Sequence, residues 1–197
     1  MSVFDLKTQY VKYGEYHSNP VNILFHQIFV PSILWSTIGL LYLAGPMFET
    51  PEMIAKLAAP LGINVTMNLG TIMTFVYMAY YLTLDTVAAL IFAPFQLAML
   101  VSSTYVMENF NNPTTIMIAV YVTSWVVQVG GHFVFEKRAP ALLDNLVQAF
   151  AMAPFFVFLE LLFMIGYRPE FHKEVHKLIV EKVEIFRSSK ANNKKSN

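Results

Sequence analysis

Charged residues punctuate this chain at long intervals. No Asp, Glu, Lys or Arg occurs from Tyr16 to Phe48, from Leu57 to Leu84, from Thr86 to Met107, or from Asn109 to Phe135. A membrane-crossing helix needs about 20 mostly apolar residues, and each block is long enough. A fifth apolar stretch, Leu146 to Tyr167, is interrupted by Glu160. The pattern predicts helices near 21–44, 63–83, 86–107, 114–135 and 141–166. The expected fold class is all-α, a multi-spanning transmembrane helical bundle with amphipathic helices at both ends.

Local signals set the boundaries. Asn19-Pro20 fits an N-cap followed by proline in the first helical position. Gly45-Pro46 ends the first span. Asp85 separates the second and third so tightly that they form a hairpin, or one of them only dips into the bilayer. Asn109, Asn111, Asn112 and Pro113 make the next turn. Ala139-Pro140 breaks the chain, and Pro140 can start the next helix. Pro31, Pro94 and Pro154 are expected inside helices, where each removes a backbone donor. Pro31 frees the carbonyl of Gln27, next to His26.

The two ends differ from the middle. Residues 1–15 carry Asp5, Lys7, Lys12 and Glu15, so no cleavable signal peptide is expected. Val3, Phe4, Leu6, Tyr10, Val11 and Tyr13 form a stripe, read as an interfacial helix on the membrane or as a helix docked on the protein. The tail from Arg168 carries eight Lys or Arg and four Glu. It reads as an amphipathic helix and then a disordered polar end, so the expected domain is 1–187, with a tail over 188–197.

Composition narrows the class. Hydrophobic residues make up 56% and charged residues 13%, against roughly 45–50% and about 25% in soluble domains. Net charge is zero, which gives no support for a nucleic-acid partner. There is no cysteine, so disulfides, zinc ribbons and thiolate nucleophiles are excluded. His-Glu-x-x-His, Gly-x-Ser-x-Gly and phosphate-binding glycine loops are also missing.

What chemistry remains gathers where apolar blocks meet polar residues. His132 and Glu136 are four apart, on one face of a helix, and a His with a carboxylate can hold a divalent metal. His17 precedes the first span and His26 lies just inside it. For each histidine a hydrogen-bonded structural role stands beside the ligand role; three at one membrane depth favour a shared site. Lys137 and Arg138 offer either a cationic seat for an acidic substrate or a positive-inside anchor. Asn22, on the face of His26, is grouped with them as a candidate substrate contact. Glu160 needs a partner or must be neutral. His172 and His176 share a face of the polar tail helix. Five spans from a cytoplasmic N-terminus put the three histidines on the cytoplasmic side and the basic tail on the other, against the positive-inside tendency. A re-entrant stretch relieves that tension, and the one with Pro154 and Glu160 is the first candidate.

Two blocks carry a resemblance. Tyr16-His17-Ser18-Asn19-Pro20-Val21-Asn22-Ile23-Leu24-Phe25-His26 resembles the first signature of the fungal 2-hydroxy fatty acid dioxygenase family, and Gly131-His132-Phe133-Val134-Phe135-Glu136-Lys137-Arg138-Ala139-Pro140-Ala141-Leu142-Leu143-Asp144-Asn145-Leu146-Val147-Gln148 resembles its second. The likeness runs from about Phe4 to Arg168. It implies an endoplasmic-reticulum membrane enzyme that uses Fe2+ and O2 to shorten a 2-hydroxy fatty acid by one carbon in phytosphingosine degradation. His17, His26 and His132 are the ligands it implies; Glu136 matches the motif and is the candidate fourth. Two rival readings remain: a non-catalytic protein that binds or moves lipid, and a metal site with other chemistry, such as zinc-dependent lipid hydrolysis.

Overall fold

The computed structural model describes residues 3–61, 65–140 and 148–195, and the described residues are helical with no strand. The α-helices are α1 (Leu6–Gly14), α2 (Pro20–Tyr42), α3 (Glu52–Ala58), α4 (Leu69–Leu84), α5 (Thr86–Asn109), α6 (Pro113–Gly131), α7 (Ala153–Met164) and α8 (Pro169–Lys195). One π-helical turn, His132–Glu136, extends α6, and another, Gln148–Met152, leads into α7. Three helices are long and apolar enough to cross a membrane: Pro20–Tyr42, Thr86–Asn109, and Pro113–Glu136 with its π turn. The protein is an all-α membrane protein, with a fourth crossing if α7 and α8, bent by 118°, count as one broken span.

The predicted spans meet the structure best where a polar residue caps the apolar run. Asn19 accepts from Val21 N at 2.9 Å, so α2 starts on Pro20. Asp85 closes α4 and caps α5, accepting from Ala88 N at 3.1 Å. Asn112 takes a left-handed conformation (φ 55°) before Pro113 opens α6, a conformation asparagine tolerates.

Elsewhere the structure corrects the expectation. α4 begins at Leu69 rather than near 63, because Asn68 caps it by accepting from Thr71 N at 3.0 Å. Its 16 residues span roughly 24 Å, short of the about 30 Å hydrocarbon core. The expected helix 141–166 has its first residues, 141–147, outside the described residues. Pro154 lies in the first turn of α7, not in a helix interior, where its missing N–H costs nothing. The 12 residues of α7 reach roughly 18 Å, short of a crossing by themselves. α3 was not anticipated. α8 runs on through Ser188 to Lys195, where a disordered tail was expected; Ser188 and Ser189 cap their own turn, bonding Glu184 O and Phe186 O at 2.8 Å each.

The chain forms two compact units, one made of Pro31–Trp125 and the other of the segments before and after it, joined at Pro31 and at Trp125. In the first, α4 and α5 form the hairpin, with Tyr81 and Phe92 rings 6.0 Å apart. Leu34, Ile38 and Leu100 form its core. In the second, α1 lies on α7 and α8. Tyr10 meets Phe156 and Phe163 edge-on at 5.5 and 5.4 Å, and Lys7 pairs with Glu174. Leu6, Tyr10, Val11 and Tyr13 are buried there. The stripe of α1 is thus covered by protein, and the docked alternative replaces the membrane-facing one. Aromatic pairs of this kind add about 1 kcal/mol each to the burial itself.

Candidate metal centre

His17 lies in the link between α1 and α2, His26 in the second turn of α2, and His132 at the start of the π turn. All belong to one compact unit. They are 7%, 4% and 3% exposed. Their ring centroids lie 4.3 Å (His17–His26), 4.9 Å (His17–His132) and 4.9 Å (His26–His132) apart. One ring nitrogen from each falls within 4.8 Å of the others.

Backbone carbonyls set the orientation of two rings. His17 Nδ1 is 2.6 Å from Tyr13 O, and His26 Nδ1 is 2.8 Å from Asn22 O. A carbonyl only accepts, so each Nδ1 carries a proton and each Nε2 presents its lone pair. His26 Nε2 and His132 Nε2 face each other at 3.2 Å. Two nitrogens each about 2.1 Å from one ion, at roughly 90–110°, lie about 3.0–3.4 Å apart. The observed separation is compatible with two ligands of one ion. His132 Nδ1 is buried with no partner among the described residues. Burial pushes the His17 imidazole well below its usual pKa, and neighbouring His26 and His132 add to this. The ring is therefore neutral, the form that binds metal. Tyr13 stacks on it at 3.9 Å. The donor set fits a metal ion.

Glu136 does not join that set. Its Oε1 accepts from Ser18 N (2.8 Å), Asn19 N (2.8 Å) and Asn22 Nδ2 (3.1 Å), and its Oε2 from Ser18 Oγ (2.8 Å). A carboxylate at the start of α2 also sits at the favourable end of the helix dipole. The π turn makes this reach: Lys137, at φ 53°, returns its N–H to His132 O and ends the helix. Such turns concentrate at functional sites. His132 and Glu136 thus act on the same segment differently, one beside the imidazoles, the other clasping the backbone between them.

The remaining candidates are placed as follows. Asn22 is fully buried and serves Glu136 and His26. Arg138 donates to Glu15 O at 2.9 Å, lies 3.9 Å from the Glu15 carboxylate and covers the Tyr16 ring at 3.5 Å. Lys137 is exposed, and its carbonyl accepts from Lys190 Nζ at 2.7 Å. His172 stacks on Phe163 at 4.8 Å, away from the three imidazoles. A cavity of about 390 Å3 opens beside His17 between α1, α7 and α8, and Glu160, His172, His176 and Arg187 all line it. Sequence reasoning gave Ser18, Glu15 and Arg187 no role. Ser18 had a signal, its place between His17 and the Asn19 cap; the other two looked like ordinary surface charges.

Fold and site together define an all-α membrane protein with a three-histidine pocket suited to a metal. The chain belongs to the Mpo1-like family: the family model described as 2-hydroxy-palmitic acid dioxygenase Mpo1-like matches residues 3–165. It is 33% identical over 170 residues to the 2-hydroxy-palmitic acid dioxygenase MPO1 of Saccharomyces cerevisiae, covering 85% of each chain. No solved structure matches it.

Proposed function

We propose that this protein is an iron(II)-dependent dioxygenase that shortens 2-hydroxy fatty acids by one carbon. The observation that carries this is the convergence of three buried imidazoles in a chain of this family. His17, His26 and His132 hold the ion, and Fe2+ bound there supplies open positions at which a 2-hydroxy acid and O2 react. The stoichiometry closes without a reductase. The 2-hydroxy acid and O2 become a shorter acid, CO2 and water, with four electrons leaving the substrate and four entering oxygen. The chain's own contribution is to bury the imidazoles, fix the protons of His17 and His26 on Nδ1, and hold His17 against His26 through the Glu136 clasp on Ser18 and Asn19.

The same reading puts the protein in the endoplasmic-reticulum membrane with the site facing the cytoplasm. Charge supports the orientation. Arg187 bonds Ser18 Oγ at 3.3 Å and Lys190 bonds Lys137 O, so the basic end of α8 lies at the histidine end of α2 and not across the membrane from it. Such a placement agrees with the positive-inside tendency. In this cysteine-free chain, a Lys137→Cys variant is labelled by an impermeant thiol reagent from the cytoplasmic side only.

The direct test is anaerobic loading of the purified protein with Fe2+, then oxygen and 2-hydroxypalmitate. One O2 consumed per CO2 and per pentadecanoic acid formed supports the proposal. Activity with Zn2+ alone, or lipid hydrolysis without oxygen, sinks it.

A further inference from the structure

The cavity beside His17 has a shape and polarity of its own. Its wall on α8 runs from His172 to Arg187, 15 residues of helix and so roughly 22 Å long. That is the reach of an extended long acyl chain. Half of the residues of this wall are apolar, Val175, Ile179, Val180 and Val183, with Phe163 and Met164 of α7 at the far end beside His172 and His176. At the other end stand His17, Ser18, Glu184 and Arg187, where Arg187 bonds Ser18. The volume of about 390 Å3 is within the usual range of roughly 300–1,000 Å3 for small-molecule pockets. Glu160 also faces the cavity, and its Oε2 is buried with no partner among the described residues. Such an oxygen calls for a donor, and a hydroxyl-bearing occupant brings one.

The two cations expected to read an acid, Lys137 and Arg138, do not line the cavity. Arg138 is already held by Glu15 and Tyr16. Arg187 does line it, spending one N–H on Ser18 Oγ at 3.3 Å. A guanidinium has five donors, so the rest of the fork is open to a carboxylate.

We propose that this cavity receives the 2-hydroxy acid, with Arg187 gripping its carboxylate beside His17 and the alkyl chain lying along α8. The inference rests on the reading of the site as one for 2-hydroxy acids. Chain length is then read along α8, by Val180 midway on the wall and by the residues around Phe163 beyond it.

The test is equilibrium binding of 2-hydroxypalmitate to the full chain in detergent, alongside oxygen uptake by the iron-loaded protein. Arg187→Gln should weaken binding about 10-fold, a size typical of a lost charge-assisted pair, and Arg187→Lys should restore part of it. Binding of hexadecane-1,2-diol, which lacks the carboxylate, should not change. Val180→Trp, at an exposed position that folding tolerates, should exclude the long acid and spare 2-hydroxyoctanoate. Unchanged affinity in Arg187→Gln, or equal loss for acid and diol, overturns the proposal, as does undiminished long-chain binding in Val180→Trp. The two readings fail separately. Arg187-dependent binding without oxygen uptake removes the dioxygenase and keeps the cavity; normal oxygen uptake with Arg187 indifferent does the reverse.

Discussion

In the Pro31–Trp125 unit, buried hydroxyls bond to carbonyls three or four residues back: Ser36 to Ser32, Thr74 to Gly70, Ser103 to Leu100. In the other unit, buried and half-buried polar groups reach partners more than a hundred residues away: Ser18 to Glu136, Arg138 to Glu15, His132 to His26. A local bond satisfies a polar group that would otherwise be costly in an apolar surrounding. It constrains little beyond its own turn. A distant bond forms only when two separate segments are held in register, and must repay the entropy of holding them. The local hydroxyl bonds are scaffolding. The distant bonds among Ser18, Glu136, His26 and His132 draw the segments of the site together.

Substitutions can break or sharpen this contrast. The largest effect belongs to His132→Ala, which removes one of the three proposed ligands. Bound metal should vanish, and oxygen uptake should fall at least about 100-fold, as read by elemental analysis and an oxygen electrode. Normal metal content would remove the centre described above. Next comes Glu136→Ala, which leaves the Ser18 and Asn19 N–H groups and Asn22 Nδ2 unpaired. Metal affinity should drop 10- to 100-fold, as is usual for an outer partner of a ligand set, with a stability loss of about 3 kcal/mol. Competition with a chelator and thermal denaturation measure the two.

A pair of glycines makes a finer comparison. A Cβ on Gly131 would lie 2.7 Å from Asn22 Oδ1, and one on Gly39 would lie 2.7 Å from the Met117 Cε. Both neighbours are fully buried, but Asn22 holds Glu136 and Met117 holds no group of the site. Gly131→Ala should lower metal affinity several-fold and stability by about 1–2 kcal/mol. Gly39→Ala should cost a similar amount of stability, about 1–2 kcal/mol, and leave metal binding alone. Smallest of all is Ser103→Ala, which removes only a bond within its own turn and should shift stability by less than about 0.5 kcal/mol. If Ser103→Ala disturbed metal binding as Gly131→Ala does, the distinction between the units would fail.

The sequence made some of this legible and hid the rest, for physical reasons. Spans were readable where a polar cap interrupted the apolar run, as Asn19 does for α2 and Asp85 for α5. They were misread where hydropathy ran on past the cap, as at Asn68. The histidines stood out because an imidazole is expensive in apolar surroundings, and the two signature blocks grouped them. The role of Glu136 was not legible. A carboxylate four residues from a histidine suggests a ligand, and only the fold shows the donors of α2 surrounding it. Arg138 was conspicuous beside the motif and proves to be held by Glu15, while Arg187, in an ordinary-looking charged tail, reaches the cavity.

One imidazole of this cluster lies in the link after the first helix, another early in the second, and the last beyond the sixth. During synthesis the first two therefore wait while about a hundred further residues are made. The cluster is incomplete until His132 and the Glu136 clasp arrive. An ion held as proposed would be taken up only after that, and a copy stalled before the sixth helix would have no grip on it.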